Sequence, residues 1–348
     1  MQPPATAFLR ASCRSAVRLR PPGRRLYATT SSPEGTVGLS DPTGYCTHLV
    51  RQRDYESYLI SHFWPKDSRA SYFAIKAFYV ELATMQDHVT NSSLGRMRMQ
   101  FWRDAVKGVF DVRLFFFLRL QMFGRPPRHP IALALHLATQ RANLQAYHFK
   151  RIIDARVRIF FLCRDAELET TFYPTIDSLA QHAESTSSTL LYLLLSLLPP
   201  PLATSHALSH AASHLGTAQT ITTLLRALAY HTRNGKIVIP AEITSKHGLR
   251  QEEFVRKGPE AQGVEDAVFE FATLANDHMI TARSMLKEEG FGGKVPQAAM
   301  PVFLAGIPVA NLLQRLENNK FDAFDPKLRQ RDWKLPWFIY RGYYRRQF

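Results

Sequence analysis

Residues 215–240 read LGTAQTITTLLRALAYHTRNGKIVIP, and their spacing decides the fold class. Leu215, Ala218, Ile221, Leu225 and Leu228 recur at intervals of three and four. That is one apolar face of an α-helix, a little over three turns long. Residues 73–87, FAIKAFYVELATMQD, repeat the pattern when taken with Tyr72: Tyr72, Ile75, Tyr79, Leu82 and Met85 share a face. Val268, Phe271 and Leu274 begin a third such stripe, which runs more loosely to Met285. Period-two alternation is nearly absent, and KIVIP at 236–240 is the one short strand-like piece. From Tyr45 onward the chain therefore reads as a single all-α domain of many helices.

Outward from these stripes, composition sets limits. Of 348 residues, 45% are hydrophobic and 21% charged, so a packed core is expected and wholesale disorder is not. The net charge is +15. Six arginines (Arg10, Arg14, Arg18, Arg20, Arg24, Arg25) and no acid precede Tyr27. An Arg-rich, Ser-containing, acid-free N-terminus is the composition of a mitochondrial transit peptide. Residues 1–27 are assigned to it, with the mature chain beginning near Ala28, since Arg25-Leu26-Tyr27-Ala28 resembles a matrix-processing step. Residues 28–43, rich in Ser, Thr, Gly and Pro, read as a linker, and 44–348 as the helical domain.

Other classes are disfavoured. The cysteines, Cys13, Cys46 and Cys163, form no CxxC, so neither a disulfide framework nor a thiolate metal site is indicated. No zinc-finger spacing, RNP-type motif or dense basic run suggests nucleic acid. No phosphate-cradling glycine loop occurs. The longest apolar run, 190–198, is far short of the ~20 residues that span a bilayer. His206, His210 and His214 stand four apart, but without a nearby acid or cysteine they read as ordinary helix-flank histidines rather than a metal site.

Two segments look foreign to the helical text, DVRLFFFLRLQMF at 111–123 and RVRIFFLC at 156–163. Both run Val-Arg, an aliphatic residue, then Phe-Phe, and their flanks join cleanly without them. They are read as inserts: either translated intron sequence or loops outside the bundle.

The two helical stripes, with Pro65, Arg69 and MRMQFW at 97–102, resemble the squalene/phytoene synthase family over about 44–345. YCTHLVRQRDYESYL at 45–59 and AFYVELA at 77–83 are similar to a mitochondrial branch of that family concerned with complex I assembly. The resemblance implies an isoprenoid-synthase-type bundle around a central cavity. In active members, acids four residues apart on two facing helices hold magnesium, which holds the substrate diphosphate. Laid on this chain, those places fall at Ala83, Asp87, Ala227 and His231, with Thr84 and Tyr230 beside them. One acid of four remains, while Gly216, Ala218, Thr222, Arg226, Gly235, Lys236 and Pro240 keep the framework.

The resemblance thus implies a pseudoenzyme without cofactor or metal: a non-catalytic assembly factor for respiratory complex I. Its partners would be complex I assembly intermediates or subunits, and it would lie peripherally on the matrix side of the inner membrane. The alternatives are a magnesium-dependent prenyltransferase and a lipid or isoprenoid carrier. A residual pocket would use Asp87, Arg226, Tyr230 and Lys236. At the C-terminus, Trp337, Tyr340, Tyr344 and Phe348 recur at three and four beside Arg341, Arg345 and Arg346. The stripe is read first as a core-packing face, and second as an interfacial membrane face.

Overall fold

The structure, a computed structural model, describes residues 38–88, 92–118, 128–165, 173–288 and 292–348. Side chains of 86–88, 92, 112–118, 159–165 and 288 also lie outside the description. The transit-peptide assignment at 1–27 and the linker as far as 37 fall outside it too. Residues 38–40 and 42 onward are already helical, so structure begins inside the stretch read as linker.

The principal helices are α1 (Pro42–Arg53), α2 (Tyr55–Ser61), α3 (Lys66–His88), α4 (Ser92–Leu118) and α5 (Pro130–Arg141). They continue through α6 (Ala146–Asp165), α7 (Ile176–Ala183), α8 (Thr189–Leu195), α9 (His206–Arg226) and α10 (Leu228–Arg233). The last three are α11 (Val264–Glu288), α12 (Gly306–Asn318) and α13 (Leu335–Arg345). Short helical turns connect several of them, and no strand occurs among the described residues. Residues 236–240 form neither helix nor ladder; Ile237, Val238 and Ile239 are buried in succession against helices. The strand-like text is thus a core-crossing link.

Local chemistry sets the boundaries. Asp41 caps α1 by accepting from the Gly44 N–H at 2.8 Å, ahead of Pro42 in the first turn. Asp54 ends α1 and caps α2, accepting from Ser57 N–H at 3.1 Å. Thr175 and Ser178 form a reciprocal capping box on α7.

α9 and α11 form the most extensive helix pair, and α3 packs on α1, α5, α6 and α8. All five residues of the stripe that runs from α9 to Leu228 at the start of α10 are buried, as are Tyr72, Ile75, Leu82 and Met85 of α3. Each such aliphatic side chain contributes on the order of 1.5–3 kcal/mol by leaving water. The core divides along α9. Leu208–Leu215 and Ala218 join one cluster with α1, α3–α6 and α8; Ile221 and Leu225 join a second with residues 237–239 and α11. Between them lies a polar band, Gln219, Thr220, Thr222 and Thr223, which faces a cavity.

Of the two Phe-rich segments, residues 111–118 continue α4 and 156–163 continue α6; 119–123 lie outside the described residues. Where described, they are helix and not the loops that one sequence reading expected. Periodic aliphatic and aromatic residues satisfy helical spacing as readily as the flanks do.

Candidate functional site

The central cavity has a volume of about 560 Å³. Ala83 and Thr84 of α3 line it, together with Ala227, Tyr230 and His231. Two segments 144 residues apart therefore meet across one space, as the synthase-like reading requires. α9 ends at Ala227 and α10 begins at Leu228, yet the His231 N–H still donates to the Ala227 carbonyl at 3.0 Å. Positions 227 and 231 stay one turn apart. Asp87 lies one turn beyond Ala83 on α3, and its side chain is outside the described residues. Of the cationic residues assigned to a residual pocket, Arg226 lines the cavity; Lys236 is not among the described lining residues.

Among the described residues, the donors at these places do not suit magnesium. Ala83 and Ala227 offer no ligand, and His231 offers nitrogen to an ion that selects oxygen. Two described carboxylates face the cavity, Asp54 and Glu56, and each already serves a cation. Arg226 Nη1 donates to Glu56 Oε1 at 2.6 Å, joining the end of α9 to α2. Lys76 Nζ, on a buried lysine, lies 3.9 Å from Asp54 Oδ2. No cluster of three His, Cys, Asp or Glu able to hold a metal occurs among the described residues.

Other residues of this wall escaped sequence reading. Glu184–Ser188 form one π-helical turn between α7 and α8, a distortion common at functional sites. It turns Thr186 and Ser187 to the cavity. Ser187 Oγ accepts from Thr220 Oγ1 at 2.8 Å and lies 3.1 Å from the Tyr79 hydroxyl. The Arg156 guanidinium sits 5.0 Å over the Tyr79 ring. Arg156 opens the second Phe-rich segment, but Arg164 follows that segment directly. Joining Ala155 to Arg164 would leave an arginine at the same place in α6. The faint sequence signal for the turn was the run of small polar residues at 185–189. Among the described lining residues, the cations Arg53, Lys76, Arg156 and Arg226 outnumber the acids Asp54 and Glu56.

His182 adds no charge. Burial, reinforced by Arg156 and Arg158, pushes its imidazole down to about 3 from an ordinary 6.5. The unfolded chain binds a proton below 6.5 that the folded chain refuses until about 3. The unfolded state then holds more protons, so stability falls as pH drops through that window. Relative to His182→Gln, the protein is expected to lose roughly 1 kcal/mol per unit between about pH 6 and pH 4. Denaturant midpoints of both proteins at pH 7 and pH 5 check this; equal shifts would refute it.

The histidines at 206, 210 and 214 do not gather at one point. The rings of His206 and His210 lie 4.0 Å apart, and His214 Nδ1 meets His278 Nδ1 of α11 at 2.9 Å. Burial lowers the pKa of both His214 and His278, which suits a neutral pair sharing one hydrogen bond.

Comparison with known proteins agrees with this geometry. The squalene/phytoene synthase family model matches residues 50–338. The rat protein named NADH dehydrogenase (ubiquinone) complex I, assembly factor 6 is 37% identical over 325 residues, 93% of this chain and 87% of its own length. The human protein of that name is 36% identical, covering 91% and 88%. Among solved structures, a dehydrosqualene synthase superposes with a TM-score of 0.67 at 16% identity, covering 88% of this chain and 97% of its own. A squalene synthase from Alicyclobacillus acidocaldarius gives 0.63 at 16% identity, covering 82% and 96%. The chain belongs to the squalene/phytoene synthase family, and within it to the group named complex I assembly factor 6.

Proposed function

We propose that this chain is a non-catalytic assembly factor for respiratory complex I, carried to the mitochondrion by residues 1–27 and held peripherally at the matrix face of the inner membrane. The observation that carries the reading is local. A synthase-type cavity is kept, while three of its four metal-binding places are Ala83, Ala227 and His231. Relatives of similar length, 36–37% identical, bear the assembly-factor name. No helix among the described residues is long and apolar enough to cross a membrane, which suits a peripheral position. A second role is supported by the cavity lining. Among the described lining residues, four cations against two acids, beside apolar Ile60, Val80, Leu224 and Leu312, suit an anionic amphiphile of the lipid or isoprenoid class, held without turnover.

Native gels of mitochondrial complexes from cells lacking this chain test the main role. Mature complex I is expected to fall several-fold while assembly intermediates accumulate. Re-expression of the wild type, and of Asp87→Ala, is expected to restore it. An unchanged complex I profile would refute the assembly role.

A further inference from the structure

The C-terminal helix departs from the reading made on its sequence. Of the aromatic stripe, Phe348 packs into the bundle as read, but the other three residues do not. Trp337 is 62% exposed, Tyr340 47% and Tyr344 64%, and Trp333, just before the helix, is 83% exposed. The buried side of α13 is the other one: Leu335, Ile339 and Gly342. Gly342 allows the close approach, since a Cβ there would stand 2.7 Å from Ile307 Cδ1 of α12. Tyr343 packs on Phe63 at 4.8 Å between ring centroids, and Phe348 packs on Phe303 at 5.4 Å. Arg283 Nε donates to the Phe348 carbonyl at 2.6 Å. α13 is therefore clamped in one rotation, with its aromatic face outward.

That face is ordered as a ladder. Trp337 stacks with Tyr340 at 5.7 Å and an interplanar angle of 14°, and Tyr340 meets Tyr344 at 4.6 Å. At 3.6 residues per turn the three side chains fall within about 60° of one another. Arg341 and Arg345, both exposed, form one flank, and Lys334 lies over the Trp333 ring at 5.4 Å. Residues 326–348 hold seven Lys or Arg and one acid, Asp332, which is bonded to Asn311.

We propose that this face docks the protein onto an anionic phospholipid bilayer. Trp and Tyr rings, apolar in body and polar at the edge, would enter the headgroup boundary, and the basic flank would meet lipid phosphates. The charge decides between occupants. A flank of one sign beside exposed aromatic rings complements an anionic surface. The proposal supplies a surface for the peripheral contact proposed above and rests on that reading only for which membrane is meant.

The test uses the full purified chain with vesicles of phosphatidylcholine, alone or with phosphatidylglycerol. The protein has four tryptophans; Trp64 and Trp102 are buried, so a spectral response to vesicles reports Trp333 and Trp337. Anionic vesicles are expected to float the protein, shift its tryptophan emission to the blue, and quench it when the lipid tails are brominated. Pure phosphatidylcholine should bind it far more weakly, and added salt should release it. W337A/Y340A/Y344A and, separately, R341E/R345E should each lower partitioning by at least about tenfold, with circular dichroism unchanged.

Unquenched emission on bound vesicles would overturn the proposal, because it would assign binding to another surface such as the N-terminal arginines. So would equal partitioning of the aromatic variant, or no binding at all. If W337A/Y340A/Y344A loses complex I in cells while wild-type protein ignores vesicles, the face binds a protein and the membrane proposal fails. Vesicle binding is measured without complex I, so its failure leaves the assembly reading standing, and the reverse also holds.

Discussion

Mixed with farnesyl or geranylgeranyl diphosphate and magnesium, the purified protein is expected to release no diphosphate and form no condensed product. Ionisation of an allylic diphosphate places growing negative charge on the leaving group. A metal clamp offsets that charge and supplies several kcal/mol of transition-state stabilisation. Losing about 4 kcal/mol slows a step roughly a thousandfold, since each 1.4 kcal/mol is a factor of ten. Here Ala83 and Ala227 face the cavity without a ligand atom, and His231 presents a nitrogen donor. Asp54 and Glu56 do not substitute, because Lys76 and Arg226 already engage them. Asp87→Ala should accordingly change no turnover and leave complex I assembly largely intact. Turnover of prenyl diphosphates by the wild type, abolished by Asp87→Ala, would overturn the pseudoenzyme reading.

Gly216→Val is expected to destabilise the protein by roughly 3 kcal/mol or more. A Cβ at 216 would stand 2.4 Å from Ser188 Oγ and 2.5 Å from the Ser188 Cα and N. The obstacle is backbone, so no rotamer change relieves it. The displaced segment is the π-helical turn, whose Ser188 Oγ donates to the Ser213 carbonyl at 2.9 Å and whose Glu184 accepts from Ser213 and Tyr192 at 2.7 and 2.9 Å. Moving it would also disturb Ser187 and the cavity wall. Gly248→Ala is a fitting control. Gly248 has φ +65 and nothing within 4 Å of the added carbon, so it should cost about 1 kcal/mol from backbone conformation alone. Urea unfolding of the three proteins separates the cases, and equal midpoints for the two variants would contradict the close-approach reading.

How much of this was legible beforehand follows from the range of each interaction. Stripes such as Tyr72, Ile75, Leu82 and Met85, or Leu215 to Leu228, are local. Helical spacing alone puts them on one face, and the structure buries them. The degenerate positions were readable only through the resemblance, which places the family's acids at Ala83 and Ala227; the family match at 50–338 spans both.

The tertiary structure alone decided what depends on a distant partner. Arg226 and Glu56 are 170 residues apart, and Tyr79 and Ser187 are 108 apart, so neither pair leaves a spacing signal. KIVIP is strand-like in composition, yet helices surround it and no strand among the described residues pairs with it. α13 carries two interleaved stripes, Leu335-Ile339-Gly342 and Trp337-Tyr340-Tyr344, and periodicity fits both equally. The neighbour chose between them: Ile307 of α12 stands so close that only a glycine fits at 342, and Leu335 and Ile339 are buried on that side. A sequence determines which faces a helix can bury; the surface it meets determines which one it does bury, because close packing depends on shape as well as hydrophobicity.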